Sequence, residues 1–269
     1  MMTMVRRWAA LVGVDIARVR SWRYLPRFAS DWASYRRRWS GPRFPLIIRN
    51  AHLILIDFGE DAESAAGHYF HQDLWAARKV FEQRPSRHVD VGSRIDGFVA
   101  HVLPFMPVTV IDIRPLTSSI EGLEFVQSDA TTLSTFPDAS VPSLSCLHAA
   151  EHFGLGRYGD TVEPFACFTV MAALSRVLAA SGRLYFSVPI GRERLEFNAH
   201  RIFSPGTILE AFGDLRLVSF SAVNDAGDLE HDTAPERFLS ATYACGLFEF
   251  TKDPAGLQRL STGPALETR

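Results

Sequence analysis

The chain has 269 residues, 47% apolar and 22% charged, with a formal net charge of −2. That composition is ordinary for a globular protein, long enough to bury a large core, and it contains no internal repeat or low-complexity stretch. Three scattered cysteines, Cys146, Cys167 and Cys245, give neither a disulfide framework nor a metal-ligand spacing, and no apolar run approaches the roughly 20 residues of a bilayer span, so a soluble chain in a reducing cytoplasm is expected.

The small net charge hides an asymmetry. Residues 1–43 carry ten arginines, no lysine and two acids, net +8, whereas the remainder carries 18 bases against 28 acids, net −10. Trp8, Trp22, Tyr24, Trp32, Tyr35 and Trp39 are interleaved with these arginines. Arginine with tryptophan suits a helix lying on anionic lipid at the inner face of a membrane, or one that docks on an assembly enzyme there. The plainer reading is a helical arm packed on the acidic remainder. No recognition motif accompanies the basic segment, so nucleic acid is not an expected partner. Asp15 and Arg18 interrupt the first apolar stretch, which argues against a cleaved signal peptide. The predicted arm spans residues 1–60, a catalytic domain residues 61–252 and a mobile tail residues 253–269.

Breaks at Gly41-Pro42 and Pro45 end the basic segment, and the apolar residues 46–58 are expected to pack on the core or its edge. Residues 59–63 read as a turn. Leu74, Trp75, Ala77, Val80 and Phe81 repeat at helical spacing over residues 71–83, with Pro85 closing the helix. From His88 onward strands alternate with helices, the pattern of a parallel α/β sheet. Strands are predicted at residues 88–91, 108–111, 123–127, 144–148 and 183–189, with a helix over 165–178. Ser204 and Pro205 mark a helix start, as cap and first residue, running to about Phe212. Two further strands, 215–222 and 242–251, enclose a long loop.

The most informative stretch joins the first two strands. Asp90-Val91-Gly92-Ser93 is a glycine turn after a strand, and the second strand ends on an acid, Asp112. Glycine lets the backbone approach a ligand closely, and a carboxylate twenty residues later accepts two hydrogen bonds from a ribose diol. The turn fits a nicotinamide cofactor as well as other nucleoside ligands.

The stretch RVLAASGRLYFSVP, with SDATTL after the third strand and LHAAEHFG after the fourth, resembles class I methyltransferases that use S-adenosylmethionine. The segments HYFHQDLWAARKVF, HVDVGSRIDGFVAHV and CLHAAEHFGLGRYGD resemble a branch found among proteins of bacterial surface-polysaccharide assembly. The resemblance covers residues 65–250. It implies a three-layer Rossmann-like fold, a mostly parallel seven-stranded sheet with a final antiparallel strand, and S-adenosylhomocysteine as product. The implied activity is O-methylation of a sugar hydroxyl in a surface polysaccharide or lipopolysaccharide. SGRLYFSVP argues against the nicotinamide reading. Arg94 and Asp96 stand where the family has its second and third glycines, and Gly97 comes one residue late. Arg94 therefore either crowds the methionine end of the cofactor or contacts its carboxylate, and the irregular turn also leaves open a non-catalytic scaffold.

By this resemblance the cofactor residues are Asp90, Gly92, Ser93, Arg94, Gly97, Asp112, Ile113, Asp129, Ala130 and His148. His148, Glu151 and His152 fall at the end of the fourth strand, where open α/β sheets bind ligands. An imidazole titrates near neutrality and takes a proton from a hydroxyl acceptor. His152 and His200 are therefore the candidate bases, with Glu151 orienting a histidine or binding sugar hydroxyls. The loop Gly154-Leu-Gly-Arg157-Tyr158-Gly-Asp160 supplies hydrogen-bonding and stacking groups suited to a glycan or small-molecule acceptor, as does Arg201 beyond the fifth strand. His68, His71 and Asp73 match no strong metal spacing, and no metal is expected.

Overall fold

The computed structural model describes residues 16–41, 43–59 and 65–253, and the chain divides into two compact units, Met1–Ser64 and Ala65–Arg269. Arg6, Arg7 and Trp8 of the arm, Pro42, most of the 59–63 turn and the tail beyond Asp253 lie outside the described residues.

In the first unit, helices α1 (Ile16–Ser21) and α2 (Leu25–Arg38) flank a 3-10 turn, Trp22–Tyr24. Pro26 sits in the first turn of α2, where its missing N–H costs nothing, and Arg36, Arg37 and Arg38 end the helix where its dipole favours cations. No residue of α2 is buried. The 46–58 run, expected to pack on the core or its edge, contains two 3-10 turns, Ile48–Asn50 and Ile56–Gly59; Leu55 between them is buried while Ile48, Leu53 and Ile54 are exposed. Among the described residues, no helix is long and apolar enough to cross a membrane.

The second unit begins with helix α3 (Gly67–Gln83), which starts four residues before the apolar repeat announces it. Trp75, Ala76, Ala77 and Val80 form its buried face. Strands β1 (His88–Val91), β2 (Val108–Asp112), β3 (Leu123–Gln127), β4 (Val141–Leu147) and β5 (Leu178–Ile190) follow, all parallel. Helix α4 (Ala166–Val177) crosses from β4 to β5. A hairpin of β6 (Arg194–Glu196) and β7 (His200–Ile202) precedes helix α5 (Pro205–Ala211), and β8 (Arg216–Val223), β9 (Leu229–Glu230) and β10 (Ala244–Thr251) complete the chain. Ser204 occupies the cap position of α5 without a side-chain capping bond; Glu193 Oε2 accepts from the Ser204 N–H and the Thr207 hydroxyl instead.

The main sheet has the order β3-β2-β1-β4-β5-β10-β8-β9. Strand β10 runs antiparallel to both β5 and β8. This is the expected Rossmann-like methyltransferase sheet, with one addition: the long loop after β8 contributes the two-residue edge strand β9. A dinucleotide-binding fold built from two βαβαβ halves would carry a parallel strand in the place of β10.

Period-two alternation divides the strands between two cores. Ile111, Phe186 and Phe248 face Cys167, Val170 and Leu174 of α4, whereas Val110, Tyr185 and Leu247 face Trp75 and Val80 of α3 with Phe98 and Val99. The result is three layers with buried apolar side chains on both sheet faces. All five parallel strands end on one edge, which brings the residues after β1, β2, β3 and β4 together.

Candidate active site

That carboxyl edge carries a cavity of about 220 Å³, walled by Tyr69, Gly92, Arg94, Asp112, Ile113, Arg114, Asp129, Ala130, His148, His152, Phe153, Tyr158 and Asp160, with Ile111 and Ala149 behind them. Seven of the ten residues expected to meet a cofactor are in this wall. Gly92 follows β1 with φ +70°, and its N–H donates to the Ile111 carbonyl at 2.9 Å. A Cβ at this position would lie 3.0 Å from the Ala149 Cβ, so glycine keeps the floor open as well as making the turn.

Three of the ten stand outside the wall. Asp90 is fully buried and turned inward: Oδ2 accepts from the Ser93 N–H at 3.0 Å, Oδ1 from the Ser93 hydroxyl at 2.6 Å, and Oδ1 also from the Ser145 hydroxyl. It shapes the turn rather than touching a ligand, and burial pushes its pKa up to about 6. Ser93 is buried, with its Oγ also accepting from the Leu147 N–H at 3.2 Å. Gly97 is buried, at a break between helical turns (φ −112°, ψ −109°), packed against Asp73.

Arg94 lines the cavity, but its guanidinium is held by Asp96 (Nη2···Oδ2 2.8 Å) above the Tyr69 ring, 5.0 Å from the centroid. Asp112 is likewise engaged. Arg114 donates Nε to Oδ1 at 2.9 Å and Nη2 to Oδ2 at 2.6 Å, and its backbone N–H also reaches Oδ1 at 2.9 Å. A carboxylate offers about four lone-pair sites. Both on Oδ1 are used and one remains on Oδ2, so a ribose diol engages both oxygens only after Arg114 releases. The Arg114 guanidinium also lies over the Tyr158 ring at 4.8 Å. The cavity, smaller than the roughly 300–1,000 Å³ of pockets that bury a drug-sized ligand, is open to solvent, with Arg114 and Tyr158 in its wall. Asp129 keeps one oxygen free; Oδ1 accepts from the backbone N–H of Thr131 at 2.8 Å and from its hydroxyl.

The catalytic candidates separate clearly. His152 lines the cavity. Its Nδ1–H donates to the Ala199 carbonyl at 2.8 Å, which fixes the tautomer and leaves the Nε2 lone pair as acceptor. Burial lowers its pKa, so the ring is neutral and base-competent at neutral pH. His200 is outside the wall, its ring 6.4 Å from that of His152, and its buried Nε2 has no hydrogen-bond partner. Glu151 is fully buried and outside the wall: Oε1 accepts from His148 Nδ1 at 2.7 Å and lies 3.7 Å from His152 Nε2. Burial works against charge on both groups, but the pairing prevails, holding Glu151 below the usual carboxylate range; Cys245 and Glu151 together lift His148 well above the imidazole range. His148 also adopts the left-handed conformation (φ 49°), a strain of about 1–2 kcal/mol.

The acceptor loop is built differently from its sequence reading. Asp160 lines the cavity, yet Oδ2 accepts from the N–H groups of Gly154 and Gly156 and Oδ1 from that of Tyr158, so it holds the loop together. A Cβ on Gly154 (φ +75°) would fall 1.9 Å from the Glu163 carbonyl oxygen, which fixes glycine there. Arg157 donates to the Ala199 carbonyl at 3.0 Å and also lies over the Tyr158 ring, 5.2 Å from its centroid. Arg201 is spent on three carbonyls, those of Glu151, Phe153 and Pro164, and is a structural clamp. Of the expected acceptor group only Tyr158 presents a side chain to the cavity without a backbone bond. Arg114, Tyr69 and Phe153 were not expected. The acid-x-arginine spacing of Asp112 and Arg114 was a usable signal for the first; nothing local pointed to the other two.

His68, His71 and Asp73 do not converge. Asp73 accepts from Gln72 Nε2 at 3.0 Å, whereas His68 Nδ1 meets His148 Nε2 at 3.2 Å.

Among known proteins, the model of a family described as "Caenorhabditis protein of unknown function, DUF268" matches residues 109–212. No curated protein matches the chain. Similar solved structures include a Burkholderia thailandensis 1,6-didemethyltoxoflavin-N1-methyltransferase with bound 1,6-didemethyltoxoflavin and S-adenosylhomocysteine, 16% identical over 68% of this chain and 79% of that one, TM-score 0.49. Another is the N-methyltransferase NodS of Bradyrhizobium japonicum with S-adenosylhomocysteine, 13% identical over 70% and 89%, TM-score 0.49. A third is a putative sarcosine dimethylglycine methyltransferase of Galdieria sulphuraria, 11% identical over 68% and 86%, TM-score 0.49.

Proposed function

We propose that the second unit is an S-adenosylmethionine-dependent methyltransferase acting on a hydroxyl, with a sugar of a bacterial surface polysaccharide or lipopolysaccharide as acceptor. One observation carries the reading: the open glycine turn at Gly92, the strand-end acid Asp112, the loop acid Asp129 and a neutral, oriented His152 all face one cavity at the carboxyl edge of the sheet. The bound cofactor supplies an electrophilic methyl group. Gly92 gives backbone access, Asp112 accepts the ribose hydroxyls once Arg114 swings away, and Asp129 turns its free oxygen to the adenine side. His152 Nε2 takes the acceptor proton, and Tyr158 provides an aromatic face for a sugar. The exposed Trp22, Phe44 and Ile48 of the first unit, with its arginines, suit docking at an anionic membrane or on an enzyme that assembles glycans there.

The test is transfer of a labelled methyl group from S-adenosylmethionine to lipid-linked sugar acceptors. Labelled product, lost in His152→Ala, supports the reading. The Arg114 lock on Asp112 favours a second one, a methyltransferase-like scaffold; cofactor binding without transfer to any hydroxyl, or no binding at all, supports that. For the first unit, co-sedimentation with phosphatidylserine vesicles that disappears at high salt supports membrane docking, and none at low salt excludes it.

A further inference from the structure

The second unit holds a cluster of which the methyltransferase reading uses only His148, in the cavity wall. His68 stands in the first turn of α3, His148 just past β4, and Cys245 near the start of β10. One ligand atom from each lies within 4.8 Å of the other two, and all three side chains are at least half-buried or fully buried. It is the one cluster of this kind among the described residues.

One proton stands where an ion would sit. His68 Nε2–H donates to the Tyr243 carbonyl at 3.2 Å, which fixes the tautomer and makes Nδ1 the acceptor of a hydrogen bond from His148 Nε2–H at 3.2 Å; an ion would displace that proton and take both nitrogens. His148 Nδ1 is held by Glu151 Oε1 at 2.7 Å. That is the carboxylate–histidine pairing found behind metal-bound imidazoles, where the outer acid fixes the ring and raises its basicity. The other oxygen of Glu151, Oε2, is buried with no partner. In tetrahedral zinc, metal–nitrogen bonds of about 2.0–2.1 Å and metal–sulfur bonds of about 2.3 Å separate two nitrogens by about 3.3 Å and a nitrogen from sulfur by about 3.6 Å. The two imidazole nitrogens are already close to that separation, at 3.2 Å, and every other gap in the cluster, at most 4.8 Å, needs to close by no more than about 1.2–1.5 Å.

We propose that His68, His148 and Cys245 bind one divalent transition-metal ion of the zinc class, with Glu151 as the positioning carboxylate behind His148. Two imidazoles and a thiolate select such an ion over magnesium or calcium, which take oxygen ligands. Three protein ligands leave the fourth tetrahedral position to water or a ligand, as in catalytic rather than closed structural zinc sites. His148 also lines the cavity, so an ion held there would stand at its wall, where it would supply Lewis-acid polarisation to a hydroxyl.

The experiment needs no methyl donor, so its outcome is independent of the proposed methyl transfer. Full-length, metal-stripped protein is titrated with zinc alone by calorimetry and with cobalt(II) alone by absorption. One ion per chain, with a sulfur-to-cobalt charge-transfer band and the strong visible bands of tetrahedral cobalt, is expected. Cys245→Ser should abolish the charge-transfer band. His68→Gln, at a partly exposed position that leaves folding intact by circular dichroism, should weaken zinc at least 100-fold, and Glu151→Gln by about 10–100-fold. His71→Ala, on the same helix but outside the cluster, should change nothing. No stoichiometric binding, a cobalt spectrum unaltered by Cys245→Ser, or an equal loss in His71→Ala would overturn the proposal.

Discussion

The two halves of the sheet present their chemistry in different ways. On the β1–β2–β3 side, functional positions follow from strand ends: Gly92 closes β1, Asp112 closes β2 and Asp129 follows β3, all within about forty residues of chain. On the β4–β5–β10 side, His148 meets His68 from α3 and Cys245 from β10, partners separated from it by 80 residues and more. The first half is organised by backbone geometry that a short sequence window encodes. The second is organised by tertiary packing that no window contains.

The largest effect that bears on this contrast is at their junction. His152→Ala should lower turnover by about 10²–10⁴-fold while leaving cofactor affinity within a few-fold, measured by initial rates and by calorimetry. Equal losses in rate and affinity would make His152 a wall residue of the cofactor half. Asp112→Ala should weaken S-adenosylhomocysteine by about 1.5–3 kcal/mol, the loss expected for hydrogen bonds to a charged group. Arg114→Ala should move affinity the other way, a few-fold tighter, because an ion pair whose arginine is half-exposed is worth roughly 0.2–1 kcal/mol and must break first. Weaker binding in Arg114→Ala would place that guanidinium on the ligand.

Strand β1 also carries a buried polar relay that tests how rigid the first half is. His88 sits fully buried between the hydroxyls of Ser143 (2.8 Å) and Ser145 (2.9 Å), and burial pushes its pKa down to about 3. Its unfolded value is near 6.5, so its contribution is complete above that pH and is lost as pH falls from 6.5 towards 3. Asp90, raised by burial to about 6 from an ordinary 3.8, has the opposite sign: it contributes below 3.8 and loses that contribution as pH rises through 6. The two offset each other between about pH 4 and 6. Urea midpoints of Asp90→Asn should therefore fall more steeply than wild type between pH 6.5 and 4, approaching the one-proton limit of about 1.4 kcal/mol per pH unit. Parallel slopes would mean that the buried Asp90 carboxyl does not titrate above its ordinary range.

The same division explains what the sequence made legible. The parallel strands β1 to β5 and the helix over 166–177 were readable, because period-two and period-3.6 patterns report which face is buried; the antiparallel final strand came from the family resemblance, and the short hairpin of β6 and β7 was not anticipated. Gly92 and Asp112 were readable because a parallel strand end is a fixed place. The backbone bonds of Asp160 and Arg201 were not legible: a side chain that bonds loop amides or carbonyls looks, in sequence, the same as one that awaits a ligand. The inward turn of Asp90 was hidden for a related reason, since it depends on Ser145 from another strand. Edge strand β9 is two residues long, too short for any periodicity to show.

The central claim is that the carboxyl edge binds S-adenosylmethionine and its product. Calorimetry of the full chain with S-adenosylmethionine, S-adenosylhomocysteine and NAD tests it most directly. The account predicts one-to-one binding of both sulfur compounds, weakened by Asp112→Ala, and no heat with NAD. No binding of either sulfur compound, or NAD binding that Asp112→Ala abolishes, would contradict it.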